Sequence, residues 1–127
     1  MQFTRDPVMA VTIRHVERGR LRIGDTEYRR TIAVTAEEVL GDQAWPAVGE
    51  LAIERLTMEH LEPLLATEPE IVLLGTGWQP ALPPRELTFA MARRGIGCEV
   101  MDTPAACRTF NILVGEGRRP AAILTLD

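Results

Sequence analysis

Between residues 57 and 126 helical and extended periodicity alternate three times over, and this alternation narrows the choice of fold more than any other feature of the sequence. "TMEHLEPLLAT" sets Met58, Leu61, Leu64 and Leu65 at helical spacing, with Thr57 suited to the N-cap and Glu59 in the first turn. Pro63 falls inside that pattern, which predicts a kink or a helix in two pieces. "EIVLLGTG" is an unbroken apolar run closed by glycine, the pattern of a buried strand. "PPRELTFAMARRG" predicts a helix opened by prolines and ended at Gly95, with Leu87, Ala90 and Met91 inward. "IGCEVM" is extended. "TPAACRTFNILVGEG" predicts a third helix, with Pro104 at its first position and Gly115 or Gly117 at its exit, before the closing strand "PAAILTL". Strands joined through helices favour a mainly parallel sheet with helices on its faces.

The front of the chain is different. "VMAVTIRHV", residues 8 to 16, is rich in β-branched side chains and predicts a strand. "LRIGDTEYRRTIAV", residues 21 to 34, places two extended runs around Gly24-Asp25, a hairpin signal, and its arginines alternate with apolar residues as one wet face requires. "AVGELAIERL" mixes both tendencies, and a short strand is the preferred reading. The expected architecture is one α/β domain over residues 1–127 with a β-rich N-terminal part.

Composition limits the function classes. A chain of 127 residues, 46% apolar, can bury a real core. It has no apolar run of about 18 residues, so no membrane insertion is expected, and no secretory signal is apparent. Cys98 and Cys107 lack metal-type spacing and suggest a reduced, cytoplasmic protein. The net charge of -4 argues against a nucleic-acid partner. That charge is uneven: residues 1–30 hold seven arginines against four acids, and residues 31–70 hold one against nine. The acidic middle reads as a solvated face or, alternatively, a partner surface.

Two strand ends could carry chemistry, because ligands of open α/β sheets settle where strands lead into helices. At "LLGTGWQP", Gly75 and Gly77 flank Thr76, either as a structural turn or as a nest of N–H groups for an anion or carbonyl. Trp78 comes next, as a pocket wall, a partner contact or ordinary packing. At "DTPAACRTFNIL", advancing about 100° per residue from Thr103 gathers Pro104, Arg108 and Asn111 between about 80° and 140°. The rest of the circumference is largely apolar, so the helix is expected to be buried on several sides. Arg108 then needs water, a carboxylate, carbonyls or an anionic ligand. Asp102 is positioned to cap the helix, pair with Arg108 or act as acid or base. Cys107 reads as a small core thiol, since neither His15 nor His60 is placed beside it as a base. Dinucleotide, P-loop, GxSxG, HExxH and EF-hand patterns are absent, and neither metal nor cofactor is expected.

"LLGTG" followed by "GIGCEVMDTPAACRTFNILVGEGRRPAAIL" closely resembles the small single-domain Mth-type family of unknown function. The likeness covers roughly residues 8 to 126 and is strongest from 71 to 124. The resemblance implies a three-layer α/β fold around a central mixed sheet. It maps recurring polar positions onto Gly75, Thr76, Gly77, Asp102, Thr103, Arg108, Thr109 and Asn111, and it supplies no reaction. Phe110 stands where members often carry tyrosine. Eukaryotic relatives of the family include a mitochondrial complex I assembly factor and an adipogenesis-associated protein. The favoured reading is therefore a non-catalytic binding or assembly-type module, acting through a surface near the GTG turn and the Arg108/Asn111 stripe, with an unknown protein partner. The alternative is a small enzyme or binding protein for an anionic carboxylate or phosphate. Homo-oligomerisation through the apolar helix arc is a further possibility.

Overall fold

A computed structural model of the chain describes residues 11–40 and 52–127. The first residues of the expected N-terminal strand, and Trp45 with most of the mixed segment before Ile53, lie outside the described residues. The hairpin signal produces a three-stranded antiparallel sheet of β1 (Ile13–Glu17), β2 (Arg20–Ile23) and β3 (Thr26–Tyr28), ordered β1-β2-β3. Gly24 takes φ of +60° in the β2–β3 turn, a conformation that glycine adopts without a steric penalty. β1 is less regular than its pattern predicts. Its register shifts between Arg14 and Glu17, where His15 takes φ of +52°, so the strand bulges.

The second sheet has five strands, ordered β5-β4-β8-β6-β7: β4 (Ile32–Thr35), β5 (Val39–Leu40), β6 (Ile71–Gly75), β7 (Gly97–Met101) and β8 (Pro120–Leu124). β6 runs parallel to both β7 and β8, while β4 is antiparallel to β5 and β8. The mixed sheet is thus parallel in one half and antiparallel in the other. Parallel pairing results from the crossover helices after residue 57, whereas β4 enters from the β-rich front without a helix.

Helices α1 (Met58–Leu65), α2 (Arg85–Arg93) and α3 (Thr103–Gly115) complete three layers. Alternation along β6 explains how. Val72 and Leu74 face Leu61, Leu64, Leu87 and Met91 of α1 and α2. Leu73 faces the other way, toward Ala106, Phe110 and Leu113 of α3 and toward Ile13 and Leu21 of the small sheet. Leu73, Leu74 and Phe110 are fully buried, and each such side chain contributes about 2 kcal/mol of hydrophobic stabilisation.

Local departures from the sequence reading have physical reasons. Residues Ile53–Arg55 form a 3₁₀ turn rather than a strand, and buried Ile53 and Leu56 sit at the three-residue spacing of that turn. Pro63 lies within a single α1, where the amide it lacks would have bonded only to the Glu59 carbonyl. Thr57 caps that helix, and His60 returns a ring nitrogen to the Thr57 N–H at 3.1 Å. Pro104 is the second helical residue of α3, after Thr103. The same helix is buried mainly along one face, since Ile112 is 60% exposed, leaving the apolar arc less covered than expected.

Asn111 closes the gap between layers. Its Oδ1 accepts from the Ile13 N–H at 2.9 Å and its Nδ2 donates to the Ile13 carbonyl at 2.9 Å, so one amide acts as the missing neighbour of β1. Asn111→Ala leaves both main-chain groups without that partner. Urea unfolding is expected to show a loss of about 2 kcal/mol, with faster hydrogen exchange at the Ile13 amide; unchanged stability and exchange would remove Asn111 from this role.

Candidate functional site

The loop after β6, the end of β8 and the start of α3 are joined through one hydroxyl. Thr103, fully buried, accepts from the Gly77 N–H at 2.8 Å and donates to the Thr125 carbonyl at 2.5 Å. Its own N–H donates to the Gly77 carbonyl at 2.9 Å. The Thr76 N–H reaches the Met101 carbonyl at 2.9 Å, and the Trp78 N–H reaches the Asp127 main-chain oxygen at 3.2 Å. These bonds occupy the N–H groups that an anion nest would use. The GTG segment is a tied turn.

Both glycines are sterically required here. A Cβ on Gly75 would lie 2.9 Å from Thr103 Oγ1 and 3.2 Å from Thr103 Cα, which blocks the approach of α3. Gly77 takes φ of +86°, and a Cβ there would run into the Asp127 main-chain oxygen. Asp102 caps α3, its Oδ1 accepting from the Ala105 N–H at 2.8 Å. Thr76 turns its hydroxyl to the Gln79 carbonyl at 2.9 Å.

Two clefts flank the loop. One, of about 490 Å³, is lined by Thr76, Trp78, Leu82, Val100, Met101 and Asp102. It is largely apolar, and Leu82 on its rim is 76% exposed. The other, of about 410 Å³, includes Arg18, Glu54, Thr76, Gln79, Thr125 and Asp127. Within it Thr125 Oγ1 is buried with no hydrogen-bond partner among the described residues. Gly75, Thr76, Gly77, Trp78, Asp102 and Thr103 therefore come together. Arg108 and Asn111 do not join them. Arg108 is exposed and lines neither cleft, and Asn111 is engaged with Ile13. Leu82, Val100 and Met101 escape sequence reasoning because apolar residues beside strands read as core. The one available signal was Leu82, an apolar side chain in a proline-rich loop.

The thiols are inert by environment. Burial pushes Cys107 up to about 12, against the pull of neighbouring Arg108. Burial, reinforced by Glu99, raises Cys98 to about 11. His60 serves the α1 cap and His15 is exposed in the β1 bulge, and neither is hydrogen-bonded to the buried Cys107.

Residues 13–125 match the family described as "Protein of unknown function (DUF498/DUF598)", and the chain belongs to that family. Among its relatives is the "13 kDa major membrane protein" of Francisella tularensis subsp. holarctica (strain LVS), 35% identical over 107 residues, covering 84% of each chain. The human "NADH dehydrogenase [ubiquinone] 1 alpha subcomplex assembly factor 3" is 48% identical over 61 residues, 48% of this chain. That match spans 33% of the assembly factor's length. The Xanthomonas campestris XCC1710 structure superposes with TM-score 0.83 at 28% identity, covering 99% of this chain and 92% of that one. A Bordetella pertussis protein described as a Mth938-like domain gives TM-score 0.75 at 26% identity over 100% and 93% of the two chains. Among the described residues no helix is long and apolar enough to cross a membrane.

Thr103→Val keeps the shape but leaves the Gly77 N–H and Thr125 carbonyl unmatched. It is expected to cost about 2–4 kcal/mol in urea unfolding, while Thr103→Ser retains most of the stability; equal stability of the two variants would contradict the hydroxyl's role. The thiols give a pH signature. Unfolding returns Cys107 from about 12 toward its ordinary 9.0, so the unfolded chain sheds a proton that the folded chain keeps. The contribution is full below pH 9.0 and is lost as pH rises toward about 12. Within that window the slope is about 1.4 kcal/mol per pH unit for this thiol. Denaturation from about pH 8 to about pH 11 should be flatter for Cys107→Ala than for the parent chain, and parallel profiles would show that the thiol does not titrate on unfolding.

Proposed function

We propose that the protein is a non-catalytic binding or assembly-type module whose partner surface is the cleft in front of the GTG turn. The observation that carries this reading is the open apolar cleft formed by Trp78, Leu82, Val100 and Met101 at the strand ends, beside a loop pinned by main-chain bonds. An apolar surface on a rigid mount suits burial against another protein. The buried, proton-retaining Cys107, with no histidine hydrogen-bonded to it among the described residues, favours binding over nucleophilic chemistry. The assembly factor among the relatives supports the same class of role. The reading includes a cytoplasmic location, supported by two unpaired cysteines.

A carboxylate or phosphate ligand is the second reading. Arg18 and the Thr125 hydroxyl, which has no hydrogen-bond partner among the described residues, favour it, while Glu54 and Asp127 in the same cleft oppose an anion. Arg108, exposed on α3 and outside both clefts, is a separate candidate for partner contact.

A photo-crosslinking side chain at position 82 is expected to capture a discrete partner in cells, and the same group at exposed Ile112 is not. Trp78→Ala should abolish the capture without lowering the melting temperature by more than a few degrees. Equal labelling from positions 82 and 112 would defeat the cleft reading. Turnover of acyl or phosphoryl substrates by purified protein, lost in Arg108→Ala, would replace it with an enzyme.

A further inference from the structure

The two sheets end in four edges among the described residues, and they are treated differently. β5 has two residues, too short to template a partner. β3 has three, and its Glu27 is tied to Arg20 and Arg29. At β1 the Asn111 amide occupies both main-chain groups of Ile13, and the His15 bulge interrupts the rest of the strand. β7 is different. It is five residues long, pairs on one side only and contains neither bulge nor proline.

Its outward groups can be assigned. The Gly97 N–H donates to the Glu70 carbonyl and the Met101 carbonyl accepts from Thr76, so residues 97, 99 and 101 turn their main chain toward β6. The N–H and C=O of Cys98 and Val100 therefore face outward, and no other described segment bonds to them. The same strand runs into the apolar cleft, which Val100 and Met101 line.

We propose that β7 is the docking edge for an extended segment of a partner protein, which sets a basic side chain beside Glu99 and an apolar one in the Trp78–Leu82 cleft. This inference rests on the cleft being a binding surface and names the form of what binds there. Charge selects the occupant. Glu99 is exposed at the centre of the edge with no ion pair among the described residues, and Asp102 adds a second carboxylate at the cleft. Two copies of β7 paired antiparallel about residue 99 would set carboxylate against carboxylate, which is unfavourable. A segment carrying arginine or lysine meets the edge with the opposite sign. Main-chain pairing would supply affinity, and the alternating side chains would supply selection.

The test uses the full chain and a synthetic nine-residue peptide of alternating threonine and valine, with arginine at its centre and leucine at both ends. A second peptide carries glutamate at the centre. The arginine peptide should slow hydrogen exchange at the Cys98 and Val100 amides and bind about fivefold more tightly than the glutamate peptide. Glu99→Arg should reverse the preference. Val100→Pro should abolish the protection, since its N–H is not used by β6; if that variant melts, the reversal by Glu99→Arg decides alone. Protection of Cys98 and Val100 with no dependence on the central charge overturns the inference. So does movement of Trp78 and Leu82 resonances without edge protection, an outcome that leaves the cleft reading standing. Sedimentation of the parent chain as a dimer that Val100→Pro dissociates would overturn it in favour of a second copy. If neither peptide moves any resonance at millimolar concentration the edge inference falls, and the crosslink at position 82 decides the cleft separately.

Discussion

The Thr103 hydroxyl is the junction on which the end of the sheet that bears the GTG turn depends. It uses its single proton on the Thr125 carbonyl and a lone pair on the Gly77 N–H, so the ends of β6 and β8 and the first turn of α3 share one atom. The contact exists only because Gly75 has no side chain to hold α3 away from the sheet. With Thr103 placed, Asp102 falls at the cap, the loop after β6 is fixed on both sides, and Trp78 is presented beside Met101. The GTG and DT letters, 26 residues apart at the Gly77–Thr103 bond, form one construction.

The repeated helix-to-strand alternation was legible because each period is a local property of a short stretch of chain. Leu61, Leu64 and Leu65, or Val72 to Leu74, declare their element without reference to the rest of the sequence. The direction of β4 was not legible, because it depends on a strand that it meets only at the far end of the chain. At the site, the helical projection brought Arg108 and Asn111 onto one stripe but could not see that β1 crosses beside it. Asn111 meets the Ile13 main chain, whereas Arg108 meets solvent. The cleft itself was hidden, because a pocket made from Leu82, Val100 and Met101 has no signature until the loop and strand are folded together.

Membership of the family fixes the fold and leaves the chemistry open. The motif that identifies the chain most sharply is explained by construction: Gly75, Gly77 and Thr103 are constrained by steric and hydrogen-bonding demands without any ligand. Residues free to vary without disturbing that construction are those whose side chains face outward, among them Trp78, Leu82, Glu99 and Arg108.

The order of the larger sheet has a consequence for biosynthesis. Its middle strand, β8, lies between β4 and β6 yet follows every other described strand in the sequence. Until residues 120–124 leave the ribosome, the two halves of the sheet have nothing between them. β4 and β6 must then wait with unpaired edges and uncovered valine and leucine side chains, a state that invites wrong pairing. The core of this sheet therefore closes only when residues 120–124 arrive, rather than layer by layer as the earlier strands emerge.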